Sequence, residues 1–429
     1  MDFSHEGIIR FGVEYEPAGG VGSRIAPATY AKDESHGHPA GPAITHDTPV
    51  RKMGDNGIDI VPGTRGDCVV IDSVSSQITR SESDLWNRYA EKFSLPGIVL
   101  FLGDEDIVTQ AIEKELSSKT ADVKNGLDVE ALVQDFKARL NISSVDSHDP
   151  APLSSWIFPH RHVDGIVRIS ALDPEGKKEI WRNKNSDLYN KIISASPHNV
   201  ERLLNLSPNS ALFGFWLSSD APLLHKVSRS YSYDIVGYGA SQVQYGATKI
   251  SDFPTSAALS YDYNGEGFLE EDPEGKKASE LLLGSVPSFS NAHVTTDHIV
   301  GSGSLLLGKL WADLHKDTTG KVDEEKREAA FNALCHLGVL SNVLSLQQWN
   351  IRSGCSLIPS QIHWESISPT SRTAMDVPTL VELEEETHSA IKKAQDMGIF
   401  GTADDREEVF FSKSHATVSA SAFVKNLVK

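Results

Sequence analysis

The sequence predicts an α+β fold, a sheet with helices packed against one face, organised as a single elaborated domain over residues 1–429. Three observations lead there. Short apolar runs rich in β-branched residues recur along the chain. Segments whose apolar positions follow helical spacing stand between them. The alternation is irregular and broken by long insertions, unlike the even strand–helix repeat of a parallel sheet.

In chain order, Gly7–Tyr15 reads as a first strand, followed by Gly-, Pro- and His-rich loops to residue 66. "DCVVID" (67–72) is a strand, and the next segment places Ile78, Leu85, Trp86, Tyr89 and Phe93 on one helical face. "GIVLFLG" (97–103) is a second buried strand, and 104–150 an acidic, partly helical insertion. "GIVRISALDPEGKKEIWRN" (165–183) reads as two strands around an Asp173-Pro174-Glu175-Gly176 turn, and the letters "DPEGKK" recur at 272–277 as reused turn chemistry. Asn199 is placed to cap a helix "VERLLNL" that stops at Ser207-Pro208. "ALFGFWL" (211–217) is a third strand. Residues 324–344 form a long helix with Ala329, Ala330, Ala333, Leu334 and Leu337 facing inward, and "IRSGCSLI" follows as a strand. The insertions fall near 16–66, 104–150 and 240–300, with an acidic C-terminal extension at 376–429.

Bulk properties bound the class. A chain of 429 residues with 39% hydrophobic and 23% charged residues and mean hydropathy −0.27 has a globular composition. No run reaches the roughly 20 apolar residues of a membrane span, so no membrane is expected as a partner. The start, "MDFSHEGIIRF", carries acids where a secretion signal has basic residues. Three widely separated cysteines, Cys68, Cys335 and Cys355, do not make a disulfide framework. The expectation is a reduced, cytoplasmic protein.

The formal charge of −19 argues at first against nucleic acid. Its distribution weakens that objection. Residues 151–250 hold 11 Lys/Arg against 8 Asp/Glu, a net of +3, leaving −22 for the remainder. The acid concentrates in 101–150, 261–280 and 376–410, which read as solvated helix faces and loops.

One stretch carries anion-binding chemistry. "VVIDSVSSQITRSESDLW" (69–86) passes from a strand to a helix through Asp72, Ser73, Ser75, Ser76, Gln77, Thr79 and Arg80. A helix start presents unpaired N–H groups and about half a positive charge. Asp72 or Ser73 can cap it, Ser75 and Ser76 let a phosphate approach closely, Gln77 can reach a sugar or base edge, and Arg80 can close on the phosphate. An ordinary capped helix with a polar first turn explains the same residues. "PHRHVDGIVR" (159–168) offers His160, Arg161 and His162 with Asp164 nearby. They fit an RNA contact, a structural role, or the alternative of a metal-dependent nuclease, although no third ligand is supplied. The His pair in "ESHGHP" (34–39) has no such partners, and the alternating Phe213 and Phe215 are more often core than base-stacking. Phosphate-loop, zinc-finger and nucleophile-elbow signatures do not occur.

Several stretches together resemble one family, the crRNA-binding backbone subunit (Cas-seven, of the RAMP superfamily) in the version found in type I-G CRISPR complexes, formerly I-U. They are "EPAGGVGSRIAPATY" (16–30), "VVIDSVSSQITRSE" (69–82), "PHRHVDGIVRIS" (159–170), "LSPNSALFGFW" (206–216), "SRSYSYDIVGYGA" (228–240) and "IRSGCSL" (351–357). The resemblance implies a modified RRM (ferredoxin-like) palm with long insertions. It also implies copies stacked along a crRNA, pairing of the guide with a target DNA strand, and contacts with other Cascade subunits, of Cas-five/Cas-six type and the large subunit. It implies no catalysis, no cofactor and no metal. The RNA contacts would come from Arg24, Ser73, Ser75, Ser76, Gln77, Arg80, His160, Arg161, His162, Arg168, Arg229 and Arg352. The chain departs from the family at Ile78-Thr79, where Ala-Asn is common, and in its acidic extension.

Overall fold

The computed structural model describes the chain apart from residues 2, 34, 36–39, 105, 118–128, 141–152, 218–224, 250–259, 264–268, 278–285, 318–319 and 428–429. Strand β1 (Ile8–Pro17) is followed by a long hairpin, β2 (Ile44–Gly54) and β3 (Gly57–Asp72), that runs into helix α1 (Val74–Tyr89). Strand β4 (Ile98–Phe101) precedes α2 (Asp106–Ser117), α3 (Val129–Leu140), α4 (Gly165–Ile169), α5 (Asp187–Ser194), α6 (Val200–Leu206) and α7 (Pro208–Phe213). Strands β5 (Phe215–Leu217) and β6 (His225–Val227) pair with each other, β7 (Tyr231–Tyr238) follows, and β8 (Ser241–Lys249) pairs with β9 (Val286–Thr295). The remainder is β10 (His298–Leu306), α8 (Leu307–Asp313), α9 (Glu324–Gln347), β11 (Asn350–Arg352), β12 (Cys355–Ile367) and β13 (Arg372–Met375). It ends with α10 (Leu380–Asp396), β14 (Glu407–Phe410) and α11 (Lys413–Leu427).

An eight-stranded antiparallel sheet runs β11–β12–β1–β10–β7–β3–β2, with β13 also paired to β12. Alternation along β1 turns Ile9, Phe11, Val13 and Tyr15 into the main core, where α1 and α9 lie. Ile78, Leu85, Trp86, Tyr89 and Phe93 are all buried there, as their spacing predicts. Burying each such side chain contributes about 1.5–3 kcal/mol. The inward residues expected of the long helix, Ala329, Ala330, Ala333, Leu334 and Leu337, are all buried. Helix α9 is apolar all round, long and apolar enough by composition to cross a bilayer, yet 94% of that apolar window is buried inside the protein. No such segment is expected from the sequence; enclosure by the sheet and by α1, α8 and α10 explains the composition of this one.

Several other expectations are corrected. Residues 44–66 are not loops but most of the β2–β3 hairpin, whose half-exposed strands lack the apolar alternation that marks a buried one. Strand β4 stays outside the large sheet and pairs in parallel with β14. Residues 165–183 do not form two strands: Asp164 caps a short helix, α4, and Ile180–Arg182 form a 3-10 turn. The Asp173–Gly176 turn does form, closed by Gly176 N–H to Asp173 O at 2.9 Å, and the second copy closes the same way, Gly275 N–H to Asp272 O at 3.0 Å. Gly176 has φ +64, where an added Cβ would stand 2.8 Å from Phe411 O. "ALFGFWL" is a helix end and a strand: Pro208 opens α7, Gly214 (φ +79) breaks it, and only Phe215–Leu217 are extended.

The acid of the C-terminal extension does lie largely on solvated helix faces, as expected, and the extension is folded onto the core. Helix α10 buries Leu383, Thr387, Ile391 and Ala394 on the face packed against α9, while Glu382, Glu385 and Glu386 are exposed and Glu384 turns toward α1, accepting from Tyr89 Oη at 2.7 Å. Helices α2, α3 and α11 enclose a second core with Val108, Ile112, Phe136, Ala416 and Val424. The "ESHGHP" histidines lie outside the described residues.

Candidate nucleic-acid interface

The junction from β3 to α1 is built around one buried carboxylate. Asp72 ends the strand with no exposed surface, and three side chains surround it: Gln77 Nε2 donates at 2.6 Å, Arg352 Nη2 at 2.6 Å, and Arg80 Nη2 forms a short ion pair. The arginines are fixed further: Arg352 Nη1 donates to Ile71 O at 2.5 Å and Arg80 Nη1 to Ile351 O at 3.0 Å. Ser73 caps the helix, its hydroxyl accepting from Ser76 N–H at 3.3 Å. One carboxylate against two guanidiniums leaves a formal +1 beside a helix start worth about +0.5. The guanidinium side chains keep 26% and 27% of their surface exposed, so that charge faces solvent. Cys355 lies in the same environment; burial pushes its thiol up to about 11, so it stays a protonated filler.

The outer surface of the junction is small and polar. Ser75 is exposed and Ser73 and Ser76 are half-buried, whereas Gln77 is buried and spent on Asp72. Thr79 is exposed and donates to Ser75 O at 2.9 Å. Exposed Arg24 comes beside this junction because its segment is stitched to both sides of it: Ala26 N–H donates to Gly354 O at 2.8 Å and Ala28 N–H to Ile71 O at 3.2 Å. Arg24 lines an open cavity of about 680 Å³ with Ser23, Gln244, His293, Thr295 and Gly354. Sequence reasoning missed those last four; β8 and β9 pair across some 40 residues, and no local pattern signals it.

The second predicted group is corrected. Arg161 is not a surface contact. It is buried (8% exposed), sits at φ +57, and forms a two-pronged ion pair with Glu82 of α1 at 2.7 and 2.8 Å. Its Nη1 donates to Gly214 O at 2.7 Å. Burial raises the Glu82 carboxyl above its ordinary range, opposed by Arg161 and by Asn209, which donates at 2.8 Å. His162 is also internal, fully buried, 2.8 Å from Ser210 Oγ and edge-on to Phe215. Asp164 accepts from the backbone N–H groups of Ile166 (2.8 Å) and His160 (2.9 Å) as a cap. His162 and Asp164 are therefore engaged in internal contacts while the His160 side chain stays exposed, and among the described residues no group of three His, Cys, Asp or Glu is arranged to hold a metal. Phe213 and Phe215 are core.

Of the remaining candidates, His160 and Arg229 are exposed, and half-buried Arg168 lies 5.1 Å over the Trp181 ring. Asp72, Gln77, Arg80 and Arg352 form a network with Ser73, Ser75, Ser76 and Arg24 at its surface, and Arg161 ties a separate region to α1.

The surface at the mouth of α1 can hold an anion by backbone N–H groups and positive charge. No curated protein matches the sequence. A solved structure described as a CRISPR RNA-guided surveillance complex, pre-nicking, aligns over 97% of this chain and 100% of that chain, at 13% identity and a TM-score of 0.30, too distant to support a fold assignment. Residues 9–242, from β1 through α1 to the start of β8, match the family described as CRISPR-associated protein GSU0053. With more than half of its length matched, the chain belongs to that CRISPR-associated family.

Proposed function

We propose that the chain is a guide-RNA-binding backbone subunit of a type I-G interference complex, and that it holds the crRNA's sugar–phosphate chain at the mouth of α1. The observation that carries this is the Asp72–Arg80–Arg352 network, which fixes net positive charge beside open helix N–H groups. The strand order supports a modified RRM palm. Strands β1, β7, β10 and β12 with helices α1 and α9 follow the order β-α-β-β-α-β, and β12–β1–β10–β7 are neighbours in that sequence. The β2–β3 hairpin is then an insertion before α1 that extends the sheet edge. Copies would line up along the guide in the cytoplasm, present its bases to a target DNA strand, and meet the Cas-five/Cas-six type and large subunits at the ends. The chain's own residues bind and orient the polynucleotide and cut nothing.

The direct experiment is to express the chain with its own repeat–spacer array and sequence the RNA that co-purifies. Processed repeat–spacer transcripts are expected. Random cellular RNA, or none, would overturn the proposal.

A further inference from the structure

Among the described residues the most exposed aromatic side chain, Trp216, lies outside the α1 site. Trp216 keeps 62% of its surface exposed, while its neighbours Phe215 (6%), Leu217 (1%) and Val227 (6%) are buried. Strand alternation accounts for this: the β5–β6 hairpin is anchored by Phe215, Leu217 and Val227, and Trp216 stands on the other face. Directly opposite on β6, Lys226 places its ammonium 5.2 Å from the indole centroid. Exposed Arg229 follows two residues after the strand. The hairpin is also fixed relative to α1, because Arg161 bridges Gly214 O to the Glu82 carboxylate. At 1.5 Å per residue, Glu82 lies about 14 Å along the α1 axis from Ser73.

We infer that Trp216, Lys226 and Arg229 form a stacking platform for an unpaired base of a single RNA strand, continuing the track that begins at the mouth of α1. A solvent-facing indole flanked by cations combines the two elements of single-strand recognition: a π-face that accepts any base, and charge for the phosphates on either side. Charge complementarity favours this occupant over a protein surface, since the platform lies in the 151–250 stretch, which is net positive in a chain of net charge −19. The bidentate Arg161–Glu82 pair has a role here as well: it is a positioning device that holds the platform in register with the helix start. The inference rests on the reading of the chain as an RNA-binding subunit.

The test uses the purified full-length chain and a fluorescently labelled oligouridine, with binding read by anisotropy. Trp216→Ala should weaken binding about tenfold, the loss of one stacked base. Trp216→Phe should stay within about threefold of the wild type. Lys226→Ala with Arg229→Ala should lower the slope of log affinity against log salt by about 1.4, the share of two phosphate contacts. Ser75→Glu serves as the marker of the α1 site. If Ser75→Glu abolishes binding while Trp216→Ala binds as the wild type does, the platform is overturned and the α1 reading stands. If neither matters, or the wild type does not bind, both fail. Oligothymidine bound equally tightly and with the same dependence on Trp216 would overturn the assignment to RNA. Normal RNA binding by Trp216→Ala with lost self-association would assign the ring to a protein contact instead.

Discussion

Replacing Ser75 by glutamate separates the two roles of the α1 start. Ser75 occupies the second helical position and is exposed, so a longer side chain meets no packing conflict there. A carboxylate in the first turn complements the helix dipole and should stabilise the folded chain by about 0.3–1 kcal/mol. The same carboxylate would stand where a phosphate is proposed to sit. Two unit charges 4 Å apart at a surface-like dielectric repel by about 4 kcal/mol, and salt reduces this to about 1–4 kcal/mol, a loss of affinity of about fivefold to nearly a thousandfold. The assay pairs urea denaturation with oligouridine binding at fixed salt. The expected outcome has opposite signs, unchanged or higher stability with lost RNA. RNA binding retained at the wild-type level would refute the electrostatic reasoning, because a carboxylate would then stand beside the first-turn N–H groups without repelling the phosphate.

Other outcomes follow from the same contacts. Asp72→Asn removes the carboxylate that neutralises two guanidiniums at a fully buried position, and should lower unfolding free energy by about 3 kcal/mol in urea titration. Glu82→Gln leaves the buried Arg161 guanidinium uncompensated and should cost about 3–5 kcal/mol, with a loss below about 1 kcal/mol contradicting the buried pair. His415, stacked on Phe411, is held neutral by burial with its pKa lowered to about 4 from 6.5. The unfolded chain therefore binds the extra proton between those values, and the stabilisation is present above pH 6.5 and lost as pH falls to about 4. Wild-type stability relative to His415→Gln should fall by about 3 kcal/mol over that window, measured by denaturation at pH 7 and pH 4.

Local chemistry was legible in the sequence and long-range pairing was not. The helical spacing of Ile78, Leu85, Trp86 and Tyr89, the cap at Asn199 and the Asp-Pro-Glu-Gly turns all depend on neighbours in the chain, and the structure has them. Pro208 misled in one direction only: it was read as the end of a helix, and it is also the first residue of the next, where its missing N–H costs nothing. Acid-rich composition concealed the stripe Leu383–Thr387–Ile391–Ala394, because one buried face suffices to hold a helix whose remaining faces are charged. At the site, Asp72, Gln77 and Arg80 could be grouped from spacing alone. The arginine that completes the network, Arg352, comes from a strand 280 residues away. For Arg161 and His162 the sequence leaves an RNA contact and a structural role both open; the structure buries them, because a glutamate and a serine supply the partners that make burial tolerable.

The central claim is tested most directly by ultraviolet crosslinking of the chain purified with its own guide transcript, followed by mass spectrometry of the RNA-bound peptides. The account places crosslinks in the peptide containing Ser73–Arg80 and in the segment around Arg24. Crosslinks confined to other surfaces, with both of these peptides recovered free of RNA, would contradict it.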